Sequence, residues 1–131
     1  MATLKVVLVE PGKSARIAEI GSELEDLQAA VGGGLFEAFS PFDEEVCIVC
    51  NEEGKVNGMK PCRAIRDRDE DIADIIYGPF FVCSCGAENF KSLSEEQLQK
   101  YLRLFSAPEA FISGGKGRIC VIPYSRQKRS T

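Results

Sequence analysis

The chain of 131 residues contains no histidine. That removes the side chain most often used as a general base near neutral pH. It also removes the residue that commonly completes a mixed zinc site with cysteine. A Cys or Ser nucleophile would have to be activated by Lys or by a carboxylate, so neither catalysis nor a cofactor is expected. Long apolar runs are lacking as well. No stretch approaches the roughly 20 residues of a membrane helix, and the run Val6 to Val9 meets Glu10 at once, too short for a signal-peptide core. The expectation is a cytoplasmic protein without membrane contact. Basic charge is scarce in the body. Up to Ser125 the chain carries all 20 acidic residues against 13 of its 16 basic ones, the remainder being Arg126, Lys128 and Arg129. An acidic body disfavours direct nucleic-acid binding, which draws most of its energy from basic residues on phosphates. The tail 126–131 reads as a short, basic, disordered end.

What is present is ordinary for a folded protein: 44% hydrophobic and 27% charged residues support a core, and the length suits one domain over 1–125. Leu4 to Val9 reads as a buried strand, Glu10-Pro11-Gly12-Lys13 as a turn, and Ser14 to Ile20 as an antiparallel return. Ser22 with Glu25 forms a capping-box pattern ahead of Leu24, Leu27, Gln28 and Val31 at helical spacing. Gly32-Gly33-Gly34 then ends the helix. Leu35 to Phe39 and Val46 to Asn51 read as strands. Asn51 to Gly54 is a turn, with Lys55 to Met59 as a hairpin arm. Ile72 to Cys85 is ambiguous, because Ile72, Ile75 and Ile76 have helical spacing while Gly78-Pro79 blocks a helix and Phe80 to Cys83 is strand-like. Ser94 and Gln97 cap a helix over Glu95 to Phe105, whose stripe Leu98, Tyr101, Leu102 and Phe105 should be buried. Arg118 to Ile122 closes the pattern as a strand. The succession predicts an α+β fold, a mostly antiparallel sheet with two helices packed on one face.

Several motifs invite chemistry. Gly12-Lys13-Ser14 follows a strand as in a phosphate-binding P-loop, but Val7 stands where that pattern needs its first glycine. Gly114-Gly115-Lys116-Gly117 could wrap an anion with backbone amides and one ammonium. Cys47, Cys50, Cys83 and Cys85 offer four thiols for zinc, yet an extended strand points Cys47 and Cys50 to opposite faces. Reduced thiols packed as small hydrophobes are the expectation. The pairs Asp69/Asp71 and Asp71/Asp74 could hold a metal, but they sit in the mixed-charge run Arg66-Asp67-Arg68-Asp69-Glu70-Asp71, which reads as surface.

Other segments carry a resemblance. Glu10-Pro11-Gly12-Lys13 after a strand is followed by Leu24-Glu25-Asp26-Leu27-Gln28 and Gly32-Gly33. Next come Pro41-Phe42-Asp43 and Cys50 to Lys55, then Pro61 to Asp67 and Asp74 to Phe81. In this order they resemble an uncharacterised domain-of-unknown-function family met in phages and bacterial mobile elements. Cys62 stands where that family usually has Asn, and Pro79 where it has a small polar residue. The resemblance implies a phage or mobile-element accessory protein, placed in the host-cell cytoplasm if phage-encoded, and no established activity. The leading expectation is a non-enzymatic inhibitor of a bacterial defence system. It would act by binding a host immune protein or by sequestering an anionic nucleotide signal. A structural or assembly module of a mobile element is one alternative, and a small zinc-binding or degenerate metal-dependent domain another; self-association is left open. The candidate binding residues are Asn51, Glu52, Arg63, Arg66, Asp67, Tyr77 and Lys116, most of them on the polar element from Asn51 to Asp67.

Overall fold

A computed structural model describes residues 3–86, 89–113 and 119–123. The core of the fold is an antiparallel sheet in the order β2-β1-β7-β4-β3, with a short β8 beside β7. Its strands are β1 (Thr3–Val9), β2 (Arg16–Gly21), β3 (Phe36–Phe39), β4 (Val46–Asn51), β7 (Phe80–Cys85) and β8 (Phe90–Lys91). Two separate antiparallel pairs complete the strands: β5 (Pro61–Arg66) with β6 (Ile72–Tyr77), and β9 (Glu109–Ser113) with β10 (Ile119–Pro123). The helices are α1 (Leu24–Ala30) and α2 (Glu95–Leu104).

Side chains alternate along the central strands, so each strand feeds two cores. Val7, Val9, Val46, Ile48, Phe80 and Val82 point to one face, where α2 covers them with Leu98, Tyr101 and Phe105. The β5–β6 hairpin lies over the same face through Cys62, Ile65 and Ile76. Leu4, Val6, Cys47, Val49, Phe81 and Cys83 point the other way, against Leu27 and Val31 at α1. The two helices therefore take one face each, which corrects the expectation of both on one face. Every β4 residue is buried because both faces of the sheet are covered.

Local differences have local causes. The α1 cap is Glu23 rather than Ser22, and its amide donates to the Asp26 carboxylate at 3.3 Å. At the other end, the Gly33 amide donates to the Gln28 carbonyl at 2.7 Å, with Gly33 at φ +96° in the left-handed cap that glycine favours. Lys55 to Met59 forms consecutive turns instead of a strand, because Asn57 and Met59 donate back to Glu53 and Gly54. Gly54 presses on the Tyr77 carbonyl so closely that a Cβ would sit 2.4 Å from its oxygen. Ile72 to Tyr77 resolves as a strand: it is β-branched, six residues long and closed by Gly78 at φ +88°. β5, β8 and β9 have no counterpart among the strands expected from the sequence. The capping box of α2 is present, with the Gln97 amide donating to Ser94 Oγ and the Ser94 amide to Gln97 Oε1. The basic tail expected at 126–131 lies outside the described residues.

Candidate functional site

The polar element singled out in the sequence, Asn51 to Asp67, runs from the end of β4 through the turns that follow it and along β5 of the β5–β6 hairpin. The hairpin strands carry one extra residue each, Cys62 on β5 and Ala73 on β6. Such bulges re-aim side chains, and here Cys62, Arg63, Ala64 and Ile65 are all buried in succession. Arg63 is 1% exposed. Its Nε and Nη2 donate to the Phe105 carbonyl at 3.2 and 2.9 Å, Nη1 to the Cys62 carbonyl at 2.9 Å, and Nη2 to the Lys13 carbonyl at 2.5 Å. Phe105 is the C-cap of α2, so the guanidinium also meets the negative end of that helix. Burial pulls its pKa down, but an arginine stays charged in a protein. Arg63 is thus an internal tie between β5, α2 and the β1–β2 turn, and not the exposed anion-binding fork expected from the sequence.

The other candidates divide around the hairpin. On the α2 side, a concavity of about 230 Å³ is lined by Phe42, Arg66, Asp67, Glu70, Leu104 and Glu109 among others. There Arg66 Nη1 donates to Glu109 Oε2 at 3.2 Å, and the Ala64 amide donates to Glu109 Oε1 at 2.7 Å. Asp67 builds the hairpin turn: its Oδ1 accepts the Asp69 and Asp71 amides at 2.9 and 3.0 Å. On the other side a smaller concavity of about 160 Å³ holds Asn51, Glu52 and Tyr77 with Glu37, Cys50 and Asp74. Asn51 is structural there. Its Nδ2 donates to the Val31 and Gly33 carbonyls at 3.1 and 2.6 Å, and its Oδ1 accepts the Glu53 amide at 2.9 Å. Lys55 stands 5.9 Å over the Tyr77 ring. Lys116 and the glycine-rich segment around it lie outside the described residues.

The thiols do not converge as a zinc set, since Cys50 packs on the α2 face while Cys47 and Cys83 pack on the α1 face. The Asp67, Asp69 and Asp71 carboxylates come within 4.8 Å of one another on the exposed turn. Two polar groups were not anticipated. Glu109 was missed because the strand that carries it was missed. Glu44, in the β3–β4 loop, accepts the Tyr101 hydroxyl, Lys100 Nζ at 2.9 Å and Gln97 Nε2 at 3.1 Å. These donors, Tyr101 foremost, hold its carboxyl down at about 2, while burial and Glu44 push the Tyr101 phenol up. The signal was Gln97, Lys100 and Tyr101 on one flank of α2, but their partner is remote in sequence.

The geometry defines an α+β protein in which a bulged hairpin with an acidic tip is tied down over one face of an antiparallel sheet. The chain belongs to the domain-of-unknown-function family DUF3846, which it matches over residues 4–106. No curated protein and no solved structure matches it. The matched span includes the sheet, the hairpin and both helices, and stops before Glu109. Among the described residues no helix is long and apolar enough to cross a membrane.

Proposed function

We propose that the chain is a non-enzymatic binding protein whose β5–β6 hairpin tip docks on a basic patch of a protein partner. In a phage or mobile-element setting, that partner is a host defence protein inhibited by the contact. The observation that carries this reading is the tip itself. Residues 66–74 are all exposed and present Asp67, Asp69, Glu70, Asp71 and Asp74 against only Arg66 and Arg68. Those two cations already face Glu109 and Asp43, at 3.2 and 3.3 Å. An anionic projection on a rigid base steers a basic partner and fixes its register.

The nucleotide-capture form of the reading loses its ligand groups, because the Arg63 guanidinium is committed to carbonyls and Arg66 to Glu109. Chemistry is equally poorly supported. Cys50 meets Glu37 Oε2 at 3.9 Å, but burial, and secondarily that carboxylate, push the thiol up to about 12, the opposite of activation. The test is capture from host lysate by the wild type and by Asp69→Lys/Asp71→Lys/Asp74→Lys, with thermal melts of both. A basic partner that binds the wild type should bind the charge-reversed protein at least about tenfold more weakly, with binding that fades as salt rises. Equal capture by two equally stable proteins would remove the hairpin from the reading.

A further inference from the structure

We propose that Cys47 and Cys83 form a peroxide-sensitive dithiol that closes reversibly to a disulfide across the two central strands. The two residues are direct partners in the antiparallel register of β4 and β7. Their sulfurs stand 3.9 Å apart on the α1 face of the sheet. Directly opposed residues of an antiparallel pair lie about 4.5 to 5.5 Å apart at Cα, within the roughly 4.4–6.8 Å that a disulfide spans. Closure therefore asks for side-chain rotation and a small approach, not for a new strand pairing.

The surroundings favour Cys47 as the reacting thiol. Cys85 lies two residues beyond Cys83 on the same face of β7 and is only partly buried. The cluster thus reaches the surface at that end of β7. Hydrogen bonding from Cys83 lowers the Cys47 thiol against the burial that raises it, whereas burial above all pushes Cys50 and Cys62 up to about 12. The thiolate is the nucleophilic form.

The reaction balances with hydrogen peroxide as the oxidant. The Cys47 sulfur attacks one peroxide oxygen, the O–O bond breaks, and Cys47 becomes a sulfenic acid while the other oxygen leaves as water. The Cys83 sulfur then attacks the Cys47 sulfur. An S–S bond forms, the S–O bond breaks, and the Cys83 proton leaves with that oxygen as a second water. Two thiols lose two electrons, and one peroxide becomes two waters. The resulting ring encloses the turn after β4 and the whole β5–β6 hairpin.

The proposal is independent of any binding partner and is tested on the protein alone. Folded protein is treated with hydrogen peroxide, quenched, unfolded and alkylated at every remaining thiol, then mapped by mass spectrometry. The peptide bearing Cys47 should be linked to the one bearing Cys83, and dithiothreitol should undo the link. Cys50 and Cys62 should oxidise at least about tenfold more slowly. Cys83→Ser should abolish the link and leave a Cys47 sulfenic acid trapped by dimedone, while Cys85→Ser should still close. Peroxide-treated wild type in which Cys47 is not linked to Cys83, or Cys47 and Cys83 oxidising no faster than Cys50, overturns the proposal. Thermal melts of each variant confirm that the comparison is between folded proteins, and the wild-type rates stand without either variant.

Discussion

Arg63 ties three separate segments of the chain together. Among the described residues its guanidinium has no ion-pair partner, only carbonyls from three separate segments. The planar fork reaches all of them at once, and an ammonium has neither the span nor the geometry. Arg63→Lys should therefore cost about 1–3 kcal/mol through unsatisfied buried carbonyls, read as a lower urea midpoint. An unchanged midpoint would show that the carbonyls find water. Glu44 makes the opposite kind of prediction. Its folded pKa of about 2 lies below the ordinary carboxyl value of 4.5. Its stabilisation is therefore fully present above the unfolded pKa and is lost as pH falls from about 4.5 toward 2. Urea melts between those pH values should decline in the wild type and flatten in Glu44→Gln. An equally steep decline in that variant would assign the acid sensitivity to other carboxylates.

At the level of elements, α2 was the most legible, because its cap pair and apolar stripe are local features spaced within a few residues. Even so, burial grades the stripe. Leu98 is 1% exposed and sits in the core cluster, whereas Leu102 is half-buried at its margin. Leu98→Ala should cost about 2–5 kcal/mol and Leu102→Ala clearly less, measured by chemical denaturation of both. Equal losses would mean that the helix packs by a broader face than its contacts imply. The hairpin was hidden for a physical reason. Its strand β5 buries successive residues around a bulge, so no alternation marks it, and a buried arginine with backbone acceptors looks in sequence like a surface one. Asn51 misled in the same way: its turn was foreseen, but not that its amide would hold the end of α1.

For the whole molecule, the antiparallel sheet could be read from β-branched runs and turn residues. The side each helix takes could not, because that depends on which strands become neighbours. The same missing information hid the Cys47–Cys83 pair, whose members were each placed in a strand without the strands being placed together. Chain order and sheet order also diverge at β7, which lies between β1 and β4 although both are made long before it. Until the ribosome has released the chain beyond Cys85, the β1–β2 and β3–β4 hairpins have no strand to join them, and each presents an unpaired edge. Joining them requires closure of a long loop before any contact repays it. A nascent chain halted before Phe80 consequently holds, beside the β5–β6 hairpin, two ribbons of the central sheet without their shared partner, their edges open to proteases and to pairing with neighbours on a polysome.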